Sequence, residues 1–397
     1  MQLAQVRATP QLDLQLTVGQ VLDRRLLHDD PRPVAVALSG GGDSLALLLV
    51  GAEWASHAGR GLLVLTVDHR LRPESADWTQ ACASIAHRLN LPFRALAWEG
   101  EKPSTGLPAA ARLARHRLLA DAARQAGARV VLVGHTADDG LEARMMRAEG
   151  STTPEPREWS PSPAWPEGRG VFLLRPMLDV RRADIRDWLR MRREPWIDDP
   201  ANEDTHYARP RARRALALGA RPPGAASRAP AADLAIACRA DPGGGLEIAR
   251  EALRAAPTDA VARFVSAACL CAAGTDRPPA RSKIERLTGR LRSDEPFTAS
   301  LAGARIEAGA SQVRFLREAG EFARGGLAPL GLQAGETAVW DGRFEVTVQR
   351  AAEIRAAPRS TWPLVVGSDG QLVEAEIRPL AYERLLAACG VLEREPA

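Results

Sequence analysis

A run of serines, glycines and an aspartate at residues 39–44 has the composition of a phosphate-binding loop. It reads Ser-Gly-Gly-Gly-Asp-Ser and joins the apolar run PVAVAL, a predicted strand, to the apolar run LALLLV, a predicted helix. Backbone amides approach an anion closely where no Cβ intervenes, and the helix start adds unpaired N–H groups and a positive dipole end. Hydroxyl donors flank the glycines, and the aspartate is a candidate ligand for Mg²⁺ on the phosphates. The sequence therefore predicts a pyrophosphate site at Ser39, Gly40, Gly41, Gly42, Asp43 and Ser44.

Two common nucleotide-binding patterns do not describe this loop. It lacks the lysine of G-x-x-x-x-G-K-[ST], and its spacing differs from the G-x-G-x-x-G of dinucleotide-binding folds. A loop without a ligand, in which a serine or aspartate only caps the next helix, is the structural alternative. The complete hexapeptide favours the phosphate site, because ligands of α/β sheets bind at the carboxyl ends of strands.

A second polar run follows the next apolar segment, LLVLTV. It includes Asp68, His69 and Arg72, so a carboxylate, an imidazole and a guanidinium lie at the same edge of the predicted sheet as the first loop. We expect these side chains to contact the ribose, base or phosphates of a nucleotide. The alternative is that Ser75 caps the following helix and that Arg72 is only solvated.

A third polar run, Gly-His-Thr-Ala-Asp-Asp-Gly-Leu-Glu at 134–142, follows the apolar run VVLV. Asp139 and Glu142 are three residues apart, so they lie on one face of the predicted helix. Two carboxylates on one face can bind a cationic amine or a metal ion. Their spacing also suits a capping box, in which case they only complete the start of the helix.

Alternating strands and helices position these three runs. Strands are predicted at 34–38, 62–67, 93–98 and 130–133, and helices from Leu45, from about Ala76 and over about 109–126. This alternation indicates βαβ units, and therefore a doubly wound α/β fold with a parallel sheet.

The rest of the chain indicates two smaller domains. A Pro, Ser and Trp-rich stretch at 150–170 predicts a surface loop, because its prolines remove donors and fix φ. A Pro, Gly and Ala-rich linker at about 219–230 follows a helical stretch from Arg181 and a turn region. The predicted domains are a nucleotide-binding catalytic domain at 1–217, a helical domain ending in a hairpin at 218–322, and an α+β segment at 323–397.

Within the two smaller domains, the sequence predicts several elements. Helices are expected at Leu246–Ala255, Ala260–Ala273, Ala280–Arg292 and Leu380–Ala388. Strands are expected at Thr298–Glu307 and Gln312–Arg317, with a Gly-rich turn between them. Asp341-Gly342 between two apolar runs predicts a hairpin.

Composition is typical of a globular protein with reduced thiols. The 397 residues are 45% hydrophobic, yet no stretch approaches about 18 consecutive apolar residues, and polar residues interrupt the N-terminal stretch. These features argue against a membrane span or signal peptide and predict a cytoplasmic location. Five cysteines without a C-x-x-C pair suit neither a zinc site nor a disulfide framework. The net charge is +4, and nearly all of the positively charged residues are arginines. Arginine matches phosphate geometry but does not by itself indicate a partner.

Taken in order, the motifs resemble the N-terminal domain of the tRNA(Ile)-lysidine synthetase family of PP-loop ATP pyrophosphatases. That family carries S-G-G-x-D-S, D-H-x-L-R, A-R-x-x-R-Y and H-H-A-D-D-Q-x-E-T, and Ala-Arg-Leu-Ala-Arg-His at 111–116 is similar to the third motif. The resemblance continues through RPML at 175–178, WIDDPAN at 196–202 and RPRAR at 209–213, and covers about residues 30–215. A weaker match, TASLAGARIEAGASQVRFLREAG, lies beyond the linker.

The resemblance implies a ligase that modifies tRNA. Such enzymes use ATP to adenylate the C2 oxygen of the first anticodon cytidine in a CAU-anticodon isoleucine tRNA, and then attach free L-lysine with release of AMP. For this chain, the resemblance implies ATP at the 39–44 loop with Asp68, His69 and Arg72, Mg²⁺ on Asp43, catalysis by Asp43, Arg112 and His135, and lysine on Asp139 and Glu142. Arg209, Arg211 and Arg213 are predicted to contact tRNA phosphates, the alternative being a solvated, salt-bridged face.

Several positions depart from the family pattern, and they concern the lysine pocket and its lid rather than the nucleotide loop. They are Thr136 for His, Gly140 for Gln, Ala143 for Thr, His116 for Tyr, Pro210 for Asn, Ala212 for an aliphatic residue, and residues 147–152 for L-x-R-G-x-G.

Other functions stay open at this point. A tRNA 2-thiolation enzyme would share the loop but needs paired cysteines, and the first domain holds only Cys82. A PP-loop ligase that amidates a small molecule, such as a GMP or NAD synthetase, is a second alternative. A non-catalytic RNA-binding protein with a decayed fold is a third. The oligomeric state is open between a monomer and a homodimer.

Overall fold

Two units make up the chain in the computed structural model, which describes residues 13–151, 153–198, 208–224, 231–320, 327–357 and 361–397. Unit 1 takes residues 1–162, 170–226 and 393–397, and unit 2 takes residues 163–169 and 227–392. The division into three domains at 217 and 322 stays a prediction. Part of the predicted linker, residues 225–230, lies outside the described residues.

Unit 1 alternates strands and helices as the sequence predicts. Its described elements are α1 (Leu14–Arg25), β1 (Val34–Ala37), α2 (Gly42–His57), β2 (Leu62–Asp68), α3 (Ser75–Arg88), β3 (Phe93–Ala97), α4 (Leu107–Gln125), β4 (Val130–Leu132), α5 (Ala137–Ala148), β5 (Trp159–Pro161), β6 (Phe172–Leu174), α6 (Arg182–Met191) and α7 (Ala208–Ala217). No helix among the described residues is long and apolar enough to cross a membrane.

One six-stranded sheet organises unit 1, in the order β3-β2-β1-β4-β6-β5. All neighbouring pairs are parallel except β5 with β6, so the predicted parallel sheet is confirmed with one antiparallel edge strand. That edge strand comes from the proline-rich stretch, and Pro161 is tolerated there because an edge strand does not need every donor. After β1 the chain builds β2 and β3 on one side and then crosses to β4, so β1 and β4 flank the switch point where α/β sheets bind ligands.

Both faces of the sheet are covered, which is why the strands read as continuous apolar runs. Val34 and Val36 belong to a core with α1, α2, α3 and α6. Ala35, between them, belongs to the opposite core with α4. This period of two places successive strand residues on opposite faces and leaves the strand ends to carry polar side chains.

A buried ion pair attaches residues 393–397 to the rest of unit 1. Arg60 Nη1 and Nη2 lie 2.9 and 3.0 Å from the two Glu395 oxygens, and both side chains are 0% exposed. Arg60 also donates to the carbonyls of Leu27 and Arg32. The guanidinium therefore has its donors satisfied only while Glu395 is in place.

We expect Glu395→Gln to lower the free energy of unfolding of unit 1 by about 3–5 kcal/mol, because it leaves a buried guanidinium without its counter-ion. Urea denaturation followed by circular dichroism measures this change. Glu393→Gln is the matched control, since Glu393 is exposed. Equal stability of the two variants would show that the pair contributes little.

Unit 2 combines helices with three antiparallel sheets. Its described elements are α8 (Ala232–Ala237), β7 (Arg239–Ala240), β8 (Leu246–Ala249), α9 (Arg250–Ala255), α10 (Thr258–Ala273), α11 (Arg281–Arg292), β9 (Phe297–Leu301), β10 (Ala304–Ala308), β11 (Gln312–Arg317), β12 (Leu330–Leu332), β13 (Thr337–Trp340), β14 (Phe344–Val348), β15 (Ala352–Ala356), β16 (Pro363–Val366), β17 (Ala375–Pro379) and α12 (Ala381–Cys389). The sheets have the orders β7-β8-β11-β10-β9, β12-β15-β16 and β13-β14-β17.

Two predicted elements of unit 2 are wrong. The helix expected at Leu246–Ala255 is a strand, β8, followed by a short helix, because Leu246 and Ile248 alternate into the core and β8 pairs with β11. The strand expected at Thr298–Glu307 is a hairpin of β9 and β10, whose turn residues Ala302 and Gly303 have φ of 51° and 82°. The hairpin predicted at Asp341-Gly342 is confirmed as β13 and β14.

Candidate active site

The serine and glycine loop joins β1 to α2. Helix α2 begins at Gly42, three residues before the predicted Leu45, with Gly41 as its N-cap, so the loop's amides belong to a helical first turn whose N–H groups have no partner within the helix. Ser44 Oγ donates to the Gly41 carbonyl at 2.9 Å and accepts the Ser39 N–H at 3.1 Å. The serine side chains therefore hold the loop's shape, which leaves the amides of residues 42–44 in the first turn as anion-binding groups.

Two close backbone approaches determine where the loop lies. Gly40 has a φ of +82°, and a Cβ there would come within 2.6 Å of Ile197 Cδ1. The Ile197 N–H donates to the Gly40 carbonyl at 3.0 Å. At the end of β4, a Cβ on Gly134 would lie 3.1 Å from the backbone of Asp43 and Ser44. The loop is thus held at the switch point between β1 and β4.

Two acids of α5 have different local roles. Asp139 Oδ2 accepts the Thr136 N–H at 2.8 Å and the Thr136 hydroxyl at 2.9 Å, and these residues form a capping box. Glu142 takes no part in it, although it is only 1% exposed. The capping box pairs Asp139 with Thr136 and not with Glu142, as the spacing of the two acids had suggested, so capping accounts for Asp139 and leaves Glu142 unexplained.

One guanidinium bridges both acids to the loop. Arg182 is the first residue of α6, and its Nε lies 3.0 Å from Asp43 Oδ2. Its Nη1 lies 3.0 Å from Glu142 Oε1, and its Nη2 lies 3.3 Å from Asp139 Oδ2. Burial raises the pKa of Asp43, and the charge of Arg182 opposes that rise. A cation-binding cluster of three carboxylates therefore lies directly beside the glycine loop.

Two of the arginines predicted to contact tRNA complete this acidic cluster. Arg213 Nε lies 2.9 Å from Glu142 Oε1, and Arg209 Nε lies 3.2 Å from Glu142 Oε2. Arg209 Nη2 also lies 3.6 Å from Asp139 Oδ1. Arg211 is exposed on the same helix. Contact with tRNA phosphates stays a prediction for all three.

A second group of arginines surrounds two buried histidines, His116 and His135. Burial, reinforced by neighbouring arginines, lowers the pKa of Arg115 and Arg175 to about 10 and also lowers the pKa of Arg112. Neither Arg112 nor Arg115 forms an ion pair within the described part of the chain. Their positive charge is therefore poorly compensated, and the group is suited to bind a polyanion.

Both histidines of this group are neutral. Arg175 Nε donates to His135 Nδ1 at 3.0 Å, so the single proton of neutral His135 lies on Nε2. Burial and the nearby arginines hold the pKa of His135 well below its usual value and lower that of His116 to about 2. His135 is therefore available as a hydrogen-bond donor through Nε2 and is not an imidazolium acid at neutral pH.

We expect stability to fall as the pH drops below about 6.5. The unfolded chain binds protons at both histidines there while the folded chain does not, which costs up to about 4 kcal/mol between pH 7.5 and 5.0. Urea denaturation at the two pH values measures the loss. His116→Phe should remove about half of this pH-dependent loss, because it deletes one of the two titrating rings. Phenylalanine is a suitable replacement, since neither ring nitrogen of His116 makes a hydrogen bond.

The ends of β2 and β3 carry the second polar run. His69 lies edge-on to Trp98, with ring centroids 6.2 Å apart, and the Lys102 ammonium lies 4.2 Å from the centre of the Trp98 ring. Burial and the charge of Arg115 lower the pKa of His69. Asp68 accepts the N–H of the residue that follows His69, and Arg72 is exposed. His69 thus lies near the arginine group, and Arg72 is an exposed residue of the same run.

The structure brings together most of the predicted residues and adds two that the sequence did not single out for a role. Asp43, Asp139 and Glu142 converge on Arg182, and His135 meets Arg175. Arg182 and Arg175 appeared in the sequence only as the start of a helix and as part of RPML. No local pattern marks them, because their partners lie far away in the chain.

Mg²⁺ has one suitable protein ligand at the loop. Among the described residues, no three His, Cys, Asp or Glu side chains are arranged to hold a metal ion by themselves. Magnesium on a nucleotide needs only one or two carboxylates, since phosphates and water supply the other ligands. Asp43 fits this requirement because its partly exposed carboxylate already pairs with a cation, Arg182.

Comparison with known proteins agrees with this geometry. A family described as a PP-loop domain matches residues 12–218. A tRNA(Ile)-lysidine synthase of Caulobacter vibrioides is 45% identical over 414 aligned residues, which cover 95% of this chain and 98% of that protein. The chain belongs to the tRNA(Ile)-lysidine synthase family. The family resemblance and the PP-loop fold class inferred from the sequence are therefore confirmed.

A second member of the tRNA(Ile)-lysidine synthase family is similar at lower identity over most of its length. The protein of Brucella anthropi is 34% identical over 378 residues, 88% of this chain and 81% of that protein. Among solved structures, the U34-tRNA thiolase NcsA from Methanococcus maripaludis, with its [4Fe-4S] cluster, covers 52% of this chain and 78% of that chain. The TM-score of this match is 0.40, at 16% sequence identity.

Four of the departures from the family pattern have local structural explanations. Thr136 supplies the hydroxyl of the capping box. Ala143 lies on the buried face of α5, where a small apolar side chain fits. Pro210 lies in the first turn of α7, where a missing N–H costs little. His116, which stands at the family's Tyr position, makes no hydrogen bond among the described residues and packs in the core as a neutral ring. None of these changes removes a charge from the acidic cluster.

The cysteines do not support thiolation. All five are free and buried. Cys82 lies under the glycine loop, where a Cβ on Gly40 would be 3.5 Å from its sulfur. Burial raises the pKa of Cys82, so its thiol is a poor nucleophile. This member of the tRNA(Ile)-lysidine synthase family therefore has no reactive thiol among the cysteines of unit 1.

Proposed function

We propose that this chain is a tRNA(Ile)-lysidine synthase, an ATP-dependent ligase that joins L-lysine to the first anticodon cytidine of a CAU-anticodon isoleucine tRNA. The observation that carries the proposal is the position of Arg182, which links the phosphate-binding loop to a buried pair of acids. A site for a polyanion thus adjoins a site for an amine. An enzyme that activates a carbonyl with ATP and then adds an amine needs this adjacency.

The first step attaches AMP to the cytidine. The C2 oxygen of the base attacks the α phosphorus, the bond to the β phosphate breaks, and pyrophosphate leaves with its electron pair. The amides of the 39–44 loop bind the departing phosphates, and Arg112 and Arg115 stabilise the charge that develops on the transferred phosphate. Asp43 would hold a Mg²⁺ ion, which would supply neutralisation of phosphate charge. His135 donates from Nε2 and positions the nucleotide or the base.

The second step replaces AMP with lysine. Asp139 and Glu142 bind the incoming amino acid through its ammonium groups and orient the ε-amine toward C2. The ε-ammonium passes a proton to solvent, the resulting amine attacks C2, the C2–O bond breaks, and AMP leaves with the C2 oxygen and the electron pair of that bond. The product carries a new C–N bond, and the ATP has been converted to AMP and pyrophosphate. The reaction takes place in the cytoplasm on a tRNA whose phosphates Arg209, Arg211 and Arg213 contact.

The test is incubation of the protein with ATP, Mg²⁺, radiolabelled L-lysine and a CAU-anticodon isoleucine tRNA transcript. We expect labelled tRNA and equimolar AMP and pyrophosphate, and no label on a transcript whose first anticodon base is uridine. Pyrophosphate release that requires ammonia or glutamine in place of lysine would indicate an amidating ligase. ATP binding without pyrophosphate release in any combination would indicate a non-catalytic RNA-binding protein.

Two further measurements address the remaining alternatives. Cys82→Ala should keep full activity. An inactive Cys82→Ala variant would favour the tRNA 2-thiolation hypothesis, since Cys82 lies beside the loop. Light scattering in solution distinguishes a monomer from the homodimer that the sequence left open.

A further inference from the structure

The acids proposed to bind lysine already hold cations of the chain itself. Arg182, Arg209 and Arg213 lie on Asp139 and Glu142, and Arg182 also reaches Asp43. A guanidinium and an ammonium bind carboxylates through the same kind of charged N–H donor. The structure therefore shows the amine site filled by internal substitutes for the substrate.

Charge balance explains why this state resists lysine. Three carboxylates face three guanidiniums, so the cluster is close to neutral. Adding free lysine, which carries a net positive charge, would create an excess of positive charge next to Arg112 and Arg115, which are themselves poorly compensated. Lysine can enter only if an internal cation leaves its acids or if negative charge arrives.

ATP supplies that negative charge at the right place. Its phosphates are proposed to bind the 39–44 loop, and Asp43 of that loop is one of the three acids that Arg182 contacts at 3.0 Å. A guanidinium matches phosphate oxygens with a bidentate fork, and polyphosphate carries more charge than one carboxylate. Arg182 begins helix α6, so its long side chain can exchange partners while the helix stays in place.

We propose that Arg182 is a positioning residue that occupies the lysine amine site until ATP binds and then moves onto the phosphates, so that lysine binds after ATP. This inference rests on the proposed function and adds an order of substrate binding to it. Because coupling between two ligands is reciprocal, ATP must raise the affinity for lysine by the same factor that lysine raises the affinity for ATP. A coupling of this kind is typically about 5–150-fold.

Equilibrium dialysis of the full-length protein with radiolabelled L-lysine tests the coupling, with and without Mg²⁺ and an ATP analogue that has a methylene group between the α and β phosphates. For the wild-type protein, we expect the analogue to lower the Kd for lysine at least about tenfold. In Arg182→Gln, lysine should bind without nucleotide nearly as tightly as wild type binds it with the analogue. Arg182→Lys keeps the charge without the fork and should retain part of the coupling.

Arg190→Gln is the matched control, because Arg190 lies on the same helix and its partners among the described residues are exposed Asp187 and the nearby Trp196 ring. It should show the wild-type coupling. A wild-type Kd for lysine that does not change with the analogue overturns the inference, and so does a full nucleotide effect in folded Arg182→Gln. If Arg182→Gln does not fold, the wild-type comparison alone decides.

The lysine-incorporation assay separates this inference from the proposed function. Wild-type protein that attaches lysine to tRNA but shows no coupling contradicts the role of Arg182 and leaves the function intact. Wild-type protein that neither binds nor attaches lysine under any condition contradicts both.

Discussion

Asp43→Ala will lower kcat for lysine incorporation by about 10²–10³-fold and leave the fold stable. The carboxylate lies in the first turn of α2, where it can hold Mg²⁺ on the phosphates, and loss of one group that stabilises developing charge costs about 3–4 kcal/mol of activation free energy. Burial raises the pKa of Asp43, so its charge is held at a cost in the folded state. We therefore expect the free energy of unfolding at pH 7 to be unchanged or slightly higher. Steady-state kinetics and urea denaturation measure the two quantities.

Asp77→Asn is the matched control for this variant. Asp77 lies in the first turn of α3, the helix of the next βα unit, and is exposed. Its replacement should leave kcat and the KM for ATP unchanged. If Asp43→Ala turns over at the wild-type rate with saturating Mg²⁺, Asp43 has no role in the reaction and the proposed metal position is wrong.

Glu142→Gln will lower kcat/KM for lysine by about 10²-fold or more, because it removes the buried charge proposed to bind the amine while keeping the shape of the side chain. The first step should persist, so tRNA-dependent pyrophosphate release measured without lysine should stay near the wild-type rate. The variant should also lose about 3 kcal/mol of unfolding free energy, since Arg182, Arg209 and Arg213 keep their charges while their shared partner becomes neutral. Kinetics at varied lysine concentration and urea denaturation test both effects.

Glu149→Gln provides the comparison on the same helix. Glu149 is the exposed C-cap of α5, so its change should leave the KM for lysine and the stability as they are. A Glu142→Gln variant with an unchanged KM for lysine and a raised KM for ATP would place the acid at the nucleotide and contradict its assignment to lysine.

Local patterns were reliable where a short stretch of chain determines its own structure. The glycine loop, the strand before it and the helix after it are contiguous, and the hairpin at Asp341-Gly342 depends on two residues that accept positive φ. They failed where packing overrides propensity. Leu246 and Ile248 form a strand despite a helix-like sequence, since β11 offers hydrogen bonds that a helix there could not use.

The amino-acid sequence by itself determined the family, the PP-loop fold and the position of each acid and each glycine on its element. It also determined that Asp139 and Glu142 share a helix face. Only the tertiary structure decided which charges meet. Arg182 is 139 residues from Asp43 in the chain and 40 from Glu142, yet its guanidinium lies 3.0 Å from both. The reason is physical: periodicity reports which face of an element is apolar, whereas the partner of a charged group depends on how the sheet brings distant strand ends together.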